Sequence, residues 1–321
     1  MLVYKDSLSL RDKKTYEILE KGLLALKSII EIRLSIKKID LILSYVLLDN
    51  PMIFYVKSYE YKIFNNRKII VEPQYLYSDQ EIKHLSKEVL KFIDREFSLL
   101  RNMDTYMSEL YIHDKVVSKI DFLDDSNFEK HTIIGPIFKK EAVCEGFSKF
   151  VKLTLNYVGI PCCVVTGFGI GPSNNIKEPH AWNIVEIDGE NFHLDVTYNT
   201  TLSTNGMVRY DYFNLTDEQI EEDHLIECRP NISCKSEKYN YFSKNSLVIK
   251  NREEYEKFIF DSLKNSIHHF QFKIPFLTKV ENIEKSIIEV TLKVLNDKRI
   301  KKSKVCVFSN PTQLVYEIII Q

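Results

Sequence analysis

Glycine is scarce in this chain of 321 residues, with nine in all, under half the usual share of about 7%. Eight of the nine fall between Gly135 and Gly206. Glycine is needed where the backbone takes positive φ or where another group must come close. Tight turns and a site are therefore expected in that one window, which also holds the only tryptophan, Trp182. An excess of one charge is missing too: 44 Lys+Arg stand against 45 Asp+Glu, for a formal net charge of −1. No global field would gather nucleic acid or an anionic membrane, so neither is expected as a partner. No apolar run is long enough to span a bilayer. Met1 to Asp6 shows no apolar signal segment, and a cytoplasmic location is the expectation.

Cysteine is present six times, at 144, 162, 163, 228, 234 and 306, with no C-x-x-C pair. The spacing resembles neither a zinc module nor a secreted disulfide scaffold, so free thiols are expected. Cys228 and Cys234 have no histidine pair at ligand spacing. No EF-hand loop or P-loop is visible. Neither a metal nor a nucleotide cofactor is expected. What remains is ordinary for a folded domain: 44% apolar and 28% charged residues, in a length that suits about two domains.

Apolar periodicity divides the chain into three blocks. Residues 1–78 read as α-β-α-β, with helices over about 9–27 and 37–48 and strands over about 29–34 and 52–64. Asp49-Asn50-Pro51 breaks the second helix. Residues 79–245 open with helices at about 79–97 and 103–120. Residues 246–321 read as helix 251–266, strand 268–274, helix 280–296 and strands near 304–308 and 313–320. Leu26 to Ile32 and Lys285 to Val290 share a pattern of apolar and charged residues.

The middle block carries the chemistry. After the Gly135-Pro136 turn, apolar residues at 143, 147, 150, 151 and 155 follow the helical period, which puts Cys144 in the first turn of a helix. A helix N-terminus and a neighbouring imidazolium both favour the thiolate, the nucleophilic form. Gly159 is a plausible helix stop, and Cys162 to Phe168 reads as a strand, followed by a loop over 169–175. Asp188-Gly189 signals a two-residue type I′ hairpin between strands ending at Ile187 and running from Glu190 to Thr197. Paired residue numbers then sum to 377, so Trp182 faces Asp195 and His180 faces Thr197. Asp195 becomes a same-face diagonal neighbour of His180, about 7–8 Å away. A longer turn would put it on the opposite face.

A thiol, a base and a group orienting that base are the three roles of nucleophilic acyl transfer. Cys144, His180 and Asp195 fit them in that order, although the cysteine–histidine contact does not follow from spacing. Other residues have plainer readings. His193 reads as a packed strand residue, His224, among Glu221, Glu222 and Asp223, as a solvated helix residue, and His113-Asp114 as a contact within a helix pair. Trp182 is a candidate to line the site beside His180.

The order Tyr111-Ile112-His113-Asp114, Val143-Cys144-Glu145-Gly146-Phe147, Gly159-Ile160, Gly167, His180-Ala181-Trp182-Asn183 and Leu194-Asp195-Val196-Thr197 resembles the bacterial transglutaminase-like family over about 100–245. Tyr212 to Asp217 resembles the same family, and Asp49-Asn50-Pro51 with Phe54-Tyr55-Val56 does so more weakly. Phe147 and Tyr198 stand where tyrosine and tryptophan are usual, each keeping an aromatic ring. The resemblance implies an α+β fold with a papain-like core, a cysteine-bearing helix packed on an antiparallel sheet, flanked by smaller α/β segments. It implies Cys144, His180 and Asp195 as catalytic positions acting on a protein or peptide substrate through a thioester. The same residues serve hydrolysis and transfer to an amine. A backbone N–H of Cys144 is a candidate oxyanion donor. Calcium dependence, as in animal relatives, is not expected, because no acidic loop matches. The competing expectation is a non-catalytic interaction module of the same fold.

Overall fold

The computed structural model describes residues 3–33, 38–64, 68–170, 176–275, 283–297 and 304–321. Its first unit holds α1 (Val3–Ser7), α2 (Leu10–Leu24), β1 (Ile30–Arg33), α3 (Ile39–Asp49), β2 (Val56–Phe64) and β3 (Lys68–Tyr75). The three strands form an antiparallel sheet in the order β1-β3-β2. Strand β3 was not expected from the sequence, and it is the central strand. Pro73 speaks against such a strand, since proline cannot donate to a ladder. Here β1 pairs only with 68–71, so Pro73 lies beyond the stretch where β3 has neighbours on both sides.

The middle unit begins with α4 (Asp79–Phe97) and α5 (Thr105–Lys119). Ser78 opens α4 with a reciprocal capping box to Glu81, and Asp104 caps α5. These caps satisfy first-turn N–H groups that have no partner inside the helix. A small parallel pair, β4 (Asp121–Phe122) and β5 (Glu141–Ala142), leads into α6 (Cys144–Tyr157). Then come β6 (Cys162–Ile170), β7 (Lys177–Ile187), β8 (Glu190–Leu194), α7 (Val196–Leu202), β9 (Phe213–Leu215), α8 (Asp217–Ile220) and β10 (His224–Cys228). The strands make one antiparallel sheet in the order β10-β6-β7-β8-β9. The apolar face of α6, with Phe147, Phe150, Val151 and Leu155, packs into the core that this sheet shares with α4, α5 and the first unit.

A short helix α9 (Tyr241–Lys244), with Phe242 in that same core, closes the middle unit, and the last unit holds α10 (Arg252–Lys264), β11 (His269–Lys273), α11 (Ile283–Asp297), β12 (Val305–Asn310) and β13 (Val315–Ile320). Its strands run β11-β13-β12 and are antiparallel. A separate apolar cluster, including Ile259, Phe272, Ile287 and Ile318, fills the space between this sheet and its helices. The patterned pieces that looked alike differ in structure: Ile30 to Ile32 lies in a strand, and Lys285 to Val290 lies in α11. Among the described residues, no helix is long and apolar enough to cross a membrane.

Candidate active site

Helix α6 starts where the sequence places it, at Cys144. Val143 precedes it in an extended conformation, and its N–H donates to the Lys130 carbonyl at 3.2 Å. No side chain caps this helix. The first-turn N–H groups and the positive end of the helix dipole are therefore available beside the thiol. Gly146 lets α6 lie against Lys130, since a Cβ there would sit 2.0 Å from that carbonyl oxygen. The helix stops at Gly159, whose φ of +88° is the left-handed stop its sequence suggests.

The hairpin between β7 and β8 has the two-residue turn and the register sum of 377: Ile187 pairs with Glu190 and Asn183 with Leu194. Asp188 and Gly189 both have positive φ, as a type I′ turn requires. The return strand, however, ends at Leu194 rather than Thr197. Asp195 instead caps α7, with Oδ1 accepting from the Tyr198 N–H at 3.0 Å, and Thr197 is helical. The cap holds the carboxylate in place and leaves Oδ2 free to accept from His180 Nε2–H at 2.6 Å. His180 sits on β7, opposite Gly167 of β6. Cys144 lines the same cleft beside this imidazole and adds to the rise of its pKa. With Nε2 on Asp195, Nδ1 is the nitrogen left for sulfur. The three groups that the sequence nominates are thus brought together.

They meet at a cleft of about 840 Å³. Cys144 and His180 line it, with Tyr198 and with Ser309, Asn310 and Pro311 from the C-terminal unit. Trp182, expected to line the site, does not. It is 1% exposed and lies beneath the imidazole of His180, with ring centroids 5.9 Å apart. Its indole N–H donates to His193 Nδ1 at 3.0 Å, a buried partner that draws the ring inward. Tyr198, with Phe122 and Tyr212, is an aromatic residue that does line the cleft, and its ring lies 4.6 Å from that of His180. Its hydroxyl rests on Gly169, where a Cβ would come within 2.0 Å of the oxygen.

The other histidines separate clearly. His193 is a buried strand residue in a closed chain: it accepts from Trp182, so Nε2 carries the proton that goes to Asp217 at 3.0 Å. His113 contacts Asp114 at 3.0 Å and accepts from Asn199 Nδ2–H at 3.0 Å, a structural link from α5 to α7. His224 overturns its expectation. It is 0% exposed and opens strand β10. The acidic run before it suggested a solvated helix, but β10 pairs with β6, and the pleat turns His224 inward and Leu225 outward. Its Nε2 lies 3.0 Å from Asp195 Oδ2 and its Nδ1 2.6 Å from Asp223 Oδ1.

These contacts set the charge states. Burial alone would lower the pKa of His180, but the charge and hydrogen bond of Asp195 and the contact with Cys144 outweigh it, and the value is pushed up to about 10. Burial would raise Asp195, but the His180 imidazolium and the His224 hydrogen bond hold its carboxyl well below the usual range. The thiols of Cys162, Cys163, Cys228 and Cys234 are all pushed upward, chiefly by burial.

Among the described residues, two clusters offer three ligand-type atoms within 4.8 Å: His180, Asp195 and His224, and His193, Asp217 and Cys234. In both, the imidazole nitrogens already donate to carboxylates. The second also has the Arg229 guanidinium on Asp217, where a cation would have to displace it. Both sets read as hydrogen-bonded chains.

Residues 98–196 match the family model described as the Transglutaminase-like superfamily, and the middle of the chain is transglutaminase-like, with an α+β fold. Solved structures similar to the chain include a proposed cysteine protease from Cytophaga hutchinsonii, with 15% identity, 44% of this chain and 61% of that one covered, and a TM-score of 0.29. A TGase shows 18% identity, 53% and 50% coverage and a TM-score of 0.28. The periplasmic domain of TgpA from Pseudomonas aeruginosa shows 13%, 43% and 55%, and 0.28. The aligned part of the chain spans 50% to 61% of the length of these structures. A search of curated proteins finds no match.

Proposed function

We propose that the chain is a thiol-dependent acyl-transfer enzyme acting on peptide or side-chain amides, with Cys144 as nucleophile, His180 as base and acid, and Asp195 orienting His180. The observation that carries this reading is the His180–Asp195 hydrogen bond with Cys144 beside His180 on one cleft, the thiol open to the cleft and the carboxylate buried. The Cys144 sulfur attacks the carbonyl carbon, forming a C–S bond. The C–N bond then breaks as His180 passes its proton to the departing nitrogen, leaving a thioester. Water or an amine attacks the thioester carbon as His180 takes its proton, the C–S bond breaks to restore the Cys144 thiolate, and the product leaves as an acid or a new amide. The uncapped N–H of Cys144 is the candidate oxyanion donor.

The test is alkylation of the native protein by iodoacetamide across pH 4–9, read by peptide mass spectrometry. Cys144 should be modified selectively well below pH 8, ahead of the half-buried Cys228 and Cys306, and the selectivity should vanish in His180→Ala. Equal reactivity of the three thiols, appearing only near the ordinary cysteine range, would sink the reading and favour the non-catalytic module. If labelling is selective, peptides offered with and without a primary amine would separate hydrolysis from transfer.

A further inference from the structure

The triad carboxylate has a second histidine. Asp195 Oδ2 receives His180 Nε2 at 2.6 Å and His224 Nε2 at 3.0 Å. The other nitrogen of His224 faces a second carboxylate, Asp223 Oδ1, at 2.6 Å. A neutral imidazole has one N–H and one acceptor nitrogen, and only the imidazolium donates from both. With both ring nitrogens facing carboxylate oxygens, one proton more than neutral imidazole carries must be present. A histidine holds that proton in preference to an aspartate, since its ordinary pKa lies more than about two units higher.

We propose that His224 is a positioning residue of this site, a buried imidazolium locked between Asp195 and Asp223 that holds the Asp195 carboxylate toward His180 and supplies a fixed positive charge behind it. The groups around it fit that charge. Asp223 precedes it, just before the start of β10, and Asp195 faces it from just past the end of β8. The tyrosine rings of Tyr198 and Tyr212 stand 4.8 and 5.7 Å away, and Trp182 presents its ring at 4.9 Å. His180, the other cation of the cluster, is 5.3 Å off, and His193, on β8, is kept neutral by burial. Asp223 is fixed in turn by the Tyr212 hydroxyl, which donates at 2.6 Å and accepts from Asn310 Nδ2–H at 3.2 Å. Buried between two carboxylates, the ring still titrates above its ordinary value, because the hydrogen bonds to Asp195 and Asp223 outweigh burial.

The arrangement alternates in sign from the thiolate outward: Cys144, His180, Asp195, His224, Asp223. An imidazolium behind Asp195 restrains how strongly that carboxylate holds the proton on His180. The proposal deepens the acyl-transfer reading and rests on it for its consequence in catalysis, but not for its geometry.

The experiment is nitrogen NMR of the histidine rings in the full chain, wild type and His224→Gln, over pH 5–12, with the Cys144 alkylation profile recorded in parallel. In the wild type, His224 should show two protonated ring nitrogens at pH 7. In His224→Gln, loss of a positive charge at this distance should move the His180 midpoint up by about one pH unit or more. The acid limb of Cys144 alkylation should move up with it. Mere loosening of the site would weaken the cysteine–histidine pair and move His180 down instead, so the sign separates charge from scaffolding. A neutral His224 in the wild type, or a His180 midpoint that stays or falls in the variant, overturns the proposal. If the variant does not fold, the wild-type spectrum alone decides. If Cys144 in the wild type is unactivated while His224 shows both protons, it is the acyl-transfer reading that fails.

Discussion

Glu109 and Asn214 present two orphan oxygens that explain each other. Glu109 is fully buried, with Oε2 accepting from Asn214 Nδ2–H at 2.8 Å. Its Oε1 and Asn214 Oδ1 have no partner. A carboxylic acid would donate from Oε1 to Oδ1 and close a two-way acid–amide pair. Burial supports that state by pushing Glu109 up to about 8, against the opposing Asn214 hydrogen bond. The sign for stability follows from linkage. With the folded value raised above its ordinary 4.5, the unfolded chain ionises first, and stability falls as pH rises from about 4.5 through about 8. Glu109→Gln keeps both hydrogen bonds and cannot ionise. It should be near neutral at pH 5 and more stable than the wild type at pH 9, by up to about 3–5 kcal/mol. Urea midpoints at the two pH values check this, and equal differences at both would show that Glu109 is ionised throughout. The sequence carries no sign of the pair, because its members lie 105 residues apart. It does carry a sign of His224 that its acidic neighbours mask: the alternation His-Leu-Ile-Glu-Cys, with inward and outward positions, marks a strand.

At the scale of elements, the hairpin was legible because a two-residue Asp-Gly turn fixes register by itself. The start of α6 was legible from the apolar period, although Gly135-Pro136, read as a turn, opens a short π-helix over Gly135–Lys139. The end of β8 was not. Leu-Asp-Val-Thr continues a strand pattern, but a helix N-cap at Asp195 competes and wins through its side-chain bond to the Tyr198 N–H. The contact between cysteine and histidine was equally hidden, since it depends on how α6 packs on the sheet. On its other side, Gly146 sets how closely α6 lies on the preceding 128–132 segment, because its missing Cβ is what lets the helix meet the Lys130 carbonyl. Gly146→Ala must push the helix away from backbone, which cannot yield as a side-chain tip would. A destabilisation of about 1–3 kcal/mol is expected, together with slower alkylation of Cys144 two residues earlier. Denaturant unfolding and the labelling assay measure the two effects. An unchanged midpoint would mean that the Lys130 segment adjusts at no cost.

At the scale of the whole molecule, the C-terminal unit has its own apolar core and yet supplies Ser309, Asn310 and Pro311 to the cleft. Its attachment is largely polar. Arg209, 1% exposed, holds Asp211 through two bonds of 2.8 Å and reaches Glu317 of β13 at 3.0 Å. His269 closes on the same carboxylate at 2.6 Å. Gln271 Nε2–H donates to the Val208 carbonyl at 2.7 Å, and Gln313 Nε2–H to the Gln219 carbonyl at 2.9 Å. Removing one member of a buried ion cluster leaves the others charged and unpaired, at a cost of about 3–5 kcal/mol. Arg209→Met leaves Asp211 in that position and Glu317 with His269 in place of the guanidinium, while the apolar core of the C-terminal unit stays whole. The cost should fall on the seam between the two bodies. Calorimetry should then resolve a heat transition for the C-terminal unit below that of the rest, where the wild type unfolds in one step. The same variant should bind substrates of the cleft more weakly, as a rise in KM larger than any fall in kcat, because a wall of the cleft has loosened while Cys144, His180 and Asp195 keep their own contacts. A single transition at lower temperature, with kcat falling and KM unchanged, would mean instead that the unit is an integral part of the catalytic body and not a docked wall.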